Sequence, residues 1–174
     1  MPVPAPAPVD VPLAPAPDGV DADAWAAASA AVRAYCGWHI APSIMQTVTV
    51  DGPGGKLLML PTLRLTDLTD VMNSGQAVSD PEWSEAGMVR GSWTTKWRGI
   101  TLTMTHGYDE CPAEVLEVVK DMAAASGKAN AGTEQAGPYS MTVPSASAAS
   151  QAGAVGVSPL QRTVLDRYKL PPRP

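Results

Sequence analysis

Two pairs of side chains raise the question of chemistry. Cys36 and His39 stand in a C-x2-H arrangement, and His106 and Cys111 in an H-x4-C arrangement. Thiolate sulfur and imidazole nitrogen are ligands of tetrahedral zinc, so the four could form one site if the end of a first helix packed beside the corner His106-Gly-Tyr-Asp-Glu-Cys-Pro112. The spacing departs from the standard zinc patterns, no C-x2-C pair occurs, and small buried cysteines and hydrogen-bonded histidines need no metal. The same corner brings His106 close in sequence to Asp109, Glu110 and Cys111, the residue types of a nucleophile and its base. Cys111 is better explained as the residue before a helix-starting proline, and His106 as a strand-end residue holding the turn through a hydrogen bond. There is no G-x-S-x-G, phosphate loop or dinucleotide fingerprint, and Gly52-Pro-Gly-Gly55 reads as a hairpin turn sooner than an anion cradle. The reading is no catalytic residue, no cofactor and no metal. Its alternative is a zinc-stabilised binding or enzymatic domain built on Cys36, His39, His106 and Cys111.

The elements that would position these residues describe an α+β domain, a small helical core with a β-rich insertion. Asp21 or Asp23 can cap a helix running to Cys36, with Gly37 as its left-handed stop and Trp25, Ala28, Val32 and Tyr35 on one face. Residues 37–43 form a connector in which Pro42 holds Ala41 extended. Gln46–Val50 and Lys56–Leu60 read as a β-hairpin about Asp51–Gly55. Thr62–Met72 alternates and then shifts register, which predicts a strand with a bulge or a bend, and Asn73-Ser-Gly75 is a turn. Short strands at Glu82–Ser84 and Met88–Arg90 flank a Glu85-Ala-Gly87 turn. Ile100–Thr105 is a strand with Ile100, Leu102 and Met104 on one face. Pro112 fits the first position of a second helix, with Val115, Leu116, Val119, Met122 and Ala123 as its buried stripe and Gly127 as its end.

The ends of the chain have a different composition. Residues 1–17 carry Pro at nearly every second position, which suits polyproline II and no helix or sheet interior. Pro138–Val143 is a last strand candidate, residues 144–157 are a low-complexity linker, and Ser158-Pro159 supplies an N-cap and N1 pair for a short helix to about Tyr168. The resulting organisation is an extended arm over 1–19, a folded domain over 20–143 (helices about 21–36 and 112–126, β-rich insertion about 46–105), a linker, and a C-terminal helix and tail over 158–174.

Composition narrows the function. The chain has 174 residues and a formal net charge of −5, with a pI near 4.9. That balance argues against a phosphate-gripping nucleic-acid binder, which needs clustered Lys and Arg. Two cysteines make no disulfide framework, no apolar run is long enough to span a bilayer, and the N-terminus does not read as a secretory signal. The expectation is a soluble protein made in a reducing cytoplasm. Charge is also split along the chain: Asp10, Asp18, Asp21 and Asp23 near the start, Arg162, Arg167, Lys169 and Arg173 near the end. Arms that cannot fold alone but carry anchors such as Leu160, Val164, Leu165, Tyr168 and Leu170 point to an interaction protein that orders on its partner.

Several separated motifs support a closer comparison. Tyr-Cys-Gly-Trp-His-Ile-Ala-Pro at 35–42, the Asp51–Gly55 turn with Leu-Pro-Thr at 60–62, Thr-His-Gly-Tyr-Asp at 105–109 before a Pro-started Val-rich helix, Gly-Pro-Tyr-Ser at 137–140 and Val-Leu-Asp-Arg-Tyr-Lys-Leu at 164–170 occur in one order. Over about residues 20–170 the chain resembles the head-to-tail adaptor proteins of long-tailed bacteriophages, in the form carried by phages of actinobacteria. The resemblance implies a structural, non-enzymatic virion protein at the neck, assembled in the host cytoplasm. It implies a ring, typically of twelve copies, joining the portal of the capsid to the stopper or tail terminator, with DNA passing through its lumen without sequence-specific binding and no membrane involved. Family members commonly grip the portal with the C-terminal helix and tail, which here points to Leu160, Arg162, Val164, Leu165, Arg167, Tyr168, Lys169, Leu170 and Arg173. The corner residues His106, Gly107, Tyr108, Asp109 and Pro112 are expected to define the fold. A stopper or other tail-completion protein, the rival within the structural class, would be mostly β, against the two helices read here.

Overall fold

The computed structural model describes residues 11–130 and 157–171. Its first helix, α1 (Ala22–Cys36), starts where the Asp21 carboxylate accepts from the Ala24 amide at 2.8 Å and ends at Gly37, whose φ of 81° lets its own amide reach the Arg33 carbonyl. Trp25, Ala28, Val32 and Cys36 face inward, and Tyr35 is half-buried beside the C-terminal segment.

The strands differ from the expected hairpin. β1 (Ile44–Val50) does not fold back on β2 (Leu57–Met59); it pairs along its whole length with the distant β7 (Ile100–His106), antiparallel, from Ile44 opposite His106 to Val50 opposite Ile100. β2 belongs to a second sheet with β6 (Met88–Arg90) and β5 (Glu82–Trp83). The residues between β1 and β2 cross from one sheet to the other, bound to a facing segment: the Gly52 and Gly54 amides donate to the Lys96 and Thr94 carbonyls at 2.9 and 3.0 Å. Gly52 serves close approach rather than a turn, since a Cβ there would lie 2.0 Å from the Thr94 carbonyl oxygen. The side chains explain the partner chosen. Pairing with β7 sets Val48 and Val50 beside Leu102 and Ile100 on the inner face, and stacks Thr47 on Thr103 and Thr49 on Thr101 outside, with hydroxyl oxygens 3.0 and 3.4 Å apart.

β3 (Leu65–Asn73) flanks β7 on its other side, and β4 (Gln76–Ala77) closes the first sheet in the order β1-β7-β3-β4. Its buried residues Leu65, Leu68 and Val71 recur every third position, which a regular strand would place on alternating faces. Register shifts between Leu65 and Asp67 and between Thr69 and Met72 insert the extra residues that return all three to one face. The expected turn follows, with Ser74 and Gly75 both at positive φ. Met104, Leu102 and Ile100 join Leu58, Val89 and Trp93 in the core between the two sheets.

The second core is helical. α2 (Ala113–Asn130) begins one residue later than read from sequence, with the Pro112 carbonyl accepting from the Leu116 amide at 3.1 Å. It also continues through Gly127: a glycine inside a helix costs only about 1 kcal/mol relative to alanine, so it ends a helix only where the chain also leaves helical geometry. Val115, Val118, Val119, Met122 and Ala123 bury against α1. The short helix α3 (Pro159–Leu165) starts at the expected Ser158 cap, where Gln161 completes a capping box, and a 3-10 turn, Asp166–Tyr168, carries the segment to the expected end. The strand expected at Pro138–Val143 and nearly all of the linker lie outside the described residues. Among the described residues, no helix is long and apolar enough to cross a membrane.

Candidate functional site

The juxtaposition on which a zinc site depended does form, but the ligands do not converge. The end of α1 and its connector pack on the corner after β7, and the His39 and His106 rings meet edge to face at 5.6 Å. Cys36 turns the other way, its sulfur 3.8 Å from the Leu165 carbonyl under α3, and Cys111 lines a separate cleft. Among the described residues no three His, Cys, Asp or Glu side chains are grouped to hold a metal ion. The His39 Nε2 donates to the Pro42 carbonyl, and the His106 Nε2 lies 3.3 Å from the Gln46 amide oxygen on β1, so His106 ties two strands together rather than holding its turn. Burial holds both imidazoles below their usual range, His106 down to about 4 with a smaller push from His39. Burial also pushes the Cys111 thiol up to about 11. A base that resists protons and, in a separate cleft, a thiol that keeps its own are the reverse of an activated nucleophile pair.

The rest of the corner is backbone work. Gly107, at φ 104°, donates to the Arg64 carbonyl, and a Cβ there would lie 3.1 Å from the Pro42 carbonyl oxygen. The Tyr108 amide donates to the Ile40 carbonyl at 2.8 Å, and its ring sits among Trp38, Tyr168 and the Arg64 guanidinium. Asp109 is exposed and Pro112 half-buried.

The C-terminal segment presents two faces. Leu165 is completely buried in the helical core, with Val164, Tyr168 and Leu170 packed at its edge. Backbone ties reinforce it: the Trp38 indole donates to the Tyr168 carbonyl at 2.6 Å and the Leu170 amide to the Cys36 carbonyl at 2.9 Å. Tyr35 donates to Asp166 at 2.7 Å, and Glu114 accepts from both the Tyr168 hydroxyl and the Arg167 guanidinium. These carboxylate partners raise both phenols: for Tyr35 the Asp166 hydrogen bond is the largest cause, for Tyr168 burial comes first and Glu114 second. The outer face carries Leu160, 79% exposed, with exposed Arg162, Arg167 and Lys169. Lys169 lies over the Tyr35 ring at 4.9 Å. Arg173 lies outside the described residues. Of the residues read as partner-binding, then, Leu165 belongs to the chain's own core.

Sequence reasoning missed the seat of the N-terminal arm. Leu13 is 2% exposed, the Trp25 indole donates to the Ala14 carbonyl at 2.7 Å, and the buried Arg33 guanidinium donates to the carbonyls of Val11 and Ala41. Burial lowers the Arg33 pKa from its usual value. The signal was faint: one leucine in a Pro-Ala run, and one arginine on an otherwise apolar helix face. Also missed was Trp97, 81% exposed on the loop before β7.

No family model matches this chain, and no curated protein matches it. Among solved structures it is similar to a chain in the neck of a native gene transfer agent (GTA) particle computed with C12 symmetry. The identity is 13% and the TM-score 0.57, over 90% of this chain and 86% of that one, which is a likeness of fold.

Proposed function

We propose that the chain is a structural neck protein of a phage-like particle, forming a ring that joins the portal to the stopper or tail. The observation that carries this is the fold shared, over nine-tenths of the chain, with a subunit of a particle neck. Two physical features support it. A subunit with net charge −5, repeated around a channel, presents a surface along which DNA slides rather than sticks. The outer face of α3 adds an exposed leucine among exposed cations on a helix whose inner face is locked, a preorganised patch for a portal or neighbouring ring.

In this reading the ring holds about twelve copies in the virion, no reaction is catalysed, and Leu160, Arg162, Arg167 and Lys169 make the portal contact. The test combines location and docking. Labelled protein should sit at the head-tail junction of particles, and the purified chain should co-purify with the portal. The double variant Leu160→Asp, Arg162→Glu should fold normally and lose the portal at least tenfold; undiminished docking would remove α3 from the interface. Absence of the protein from necks would remove the function.

A further inference from the structure

Two features at opposite ends of the β1/β7 pair complement each other. At one end, where Val50 faces Ile100, the turn Lys96-Trp97-Arg98 stands out from the sheet with Trp97 81% exposed. The turn is braced: the Gly52 amide donates to the Lys96 carbonyl at 2.9 Å, the Arg98 amide to the Asp51 carboxylate at 2.6 Å, and the Gly99 amide to the Lys96 carbonyl at 3.2 Å. Arg98 is held at φ 50°. A tryptophan displayed on a fixed turn loses little freedom on binding and offers a large apolar face, the usual character of an interface anchor. Lys96 and Arg98 make no ion pair among the described residues.

At the other end, where Ile44 faces His106, the docked arm and the start of α2 enclose a cleft of about 510 Å³. Val11, Leu13, Pro15, Pro42, Cys111 and Leu116 line it. That volume lies in the range of pockets that hold small molecules, about 300–1,000 Å³, and accommodates an indole. Asp109 and Glu110 complete the lining; both are exposed, and neither makes an ion pair among the described residues.

We infer that the Trp97 turn of one copy docks in this cleft of the next, its indole against the apolar wall and Lys96 and Arg98 facing Asp109 and Glu110. The occupant is a second copy because knob and cleft match in size, polarity and charge sign and are carried on the same chain. Seven paired residues put the two features about 20 Å apart along the strands. They are different surfaces, so the contact is head-to-tail, leaves one knob and one cleft free at each step, and is satisfied throughout only when the series closes. The inference rests on the ring reading above and names the contact that would build it.

The experiment uses the full chain, with assembly followed by mass measurement across concentration. Trp97→Ala, a change on an exposed turn, should lower the assembled fraction at least tenfold while circular dichroism and the melting temperature stay unchanged. Charge reversal by Lys96→Glu with Arg98→Glu should weaken assembly, and adding Asp109→Lys with Glu110→Lys should restore it. A second probe uses the half-buried native thiol in the cleft. Lys96→Cys, which keeps the Trp97 indole, oxidised with diamide, should yield a covalent ladder of copies that disappears when Cys111→Ser is added. Rings formed by Trp97→Ala as readily as by the unaltered chain would overturn the contact and leave the ring reading standing. A Cys111-dependent ladder that grows into open polymers would uphold the contact and sink the ring. Should deletion of residues 2–10 unmask Cys111 to maleimide while the Lys96→Cys chain gives no ladder, the cleft belongs to the chain's own N-terminus and the inference fails.

Discussion

The helical and sheet halves of this molecule draw on the chain in opposite ways. The sheet half is one unbroken excursion: every residue of its core, from Val48 to Met104, lies between β1 and the end of β7. The helical half collects Leu13 from the arm, Trp25 and Val32 from α1, Ile40 from the connector, Val119 from α2 and Leu165 from α3. A contiguous insertion can complete its core before either end of the chain is in place, whereas the helical core closes only when both ends have arrived. The ends are therefore structural members first. Whatever partners they serve must be met by their outer faces.

The strongest way to break this contrast is to treat the C-terminal segment as removable. Deleting residues 158–174 uncovers Trp38, Cys36 and the site of Leu165, so the deletion is expected to abolish cooperative unfolding of the helical half, not merely partner docking. Leu165→Ala isolates the effect. A fully buried leucine should cost about 2–5 kcal/mol in urea unfolding, against less than about 0.5 kcal/mol for Leu160→Ala on the exposed face. Equal costs would make the segment an appendage after all.

The two halves meet at His39 and His106, and that seam should respond to acid. Both rings are nearly completely buried, and no hydrogen-bond partner reaches either Nδ1 among the described residues. Above the ordinary imidazole value of 6.5, folded and unfolded chains both hold His106 neutral and pH has no effect through it. Below 6.5 the unfolded chain takes up a proton that the native site refuses down to about 4, so stability falls across that window. The loss through His106 is about 3 kcal/mol at pH 4, and His39, lowered in the same direction, adds to it. Urea midpoints at pH 7.5, 5.5 and 4.5 should show the decline, and His106→Asn should flatten most of it. A native protein equally stable at 7.5 and 4.5 would contradict the buried, neutral assignment.

The contrast also explains what the sequence revealed. Capping and periodicity are local, and they located α1, the β7 strand and α3 with its Ser158 cap to within a residue or two. The turn at Asn73–Gly75 was equally legible. Strand partners are not local: Gln46–Val50 reads as half of a hairpin with the nearest strand-like run, while its threonine ladder matches a strand fifty residues away. Nothing in the glycines of Asp51–Gly55 distinguishes a turn from a close crossing between sheets. The corner was recognised as a unit, but two histidines and two cysteines say nothing about direction, and here the cysteines point away. Trp97 could not be told from the buried Trp93 four residues earlier, because burial of that loop depends on pairing decided elsewhere.

The two ends can be compared with the same chemical change. Leu13, like Leu165, is almost wholly buried. Leu13→Ala should nevertheless cost less, about 1–2 kcal/mol, because the arm can lift from α1 without unfolding the rest and local opening caps the penalty. The arm covers Trp25, so the variant should show a red-shifted tryptophan emission and faster proteolysis near residue 13 under native conditions. A full Leu165-sized loss would mean that the arm is as integral as α3.

The smallest expected effect tests whether α3 is held by its own ends or only by its packing. Ser158 caps the helix and Gln161 returns a bond to the Ser158 amide at 2.9 Å, so Ser158→Ala removes one partner of a reciprocal pair on a helix only seven residues long. The expected cost is about 1 kcal/mol, with Ser158→Thr close to neutral because its hydroxyl can still accept. The readout should be site-specific: the Trp38 indole bonds to the Tyr168 carbonyl at the far end of the same segment, so its hydrogen exchange should quicken in Ser158→Ala and not in Ser158→Thr. No change in either variant would mean that Leu165 and the Glu114 contacts hold the helix unaided, and that the helical half is closed by its core alone.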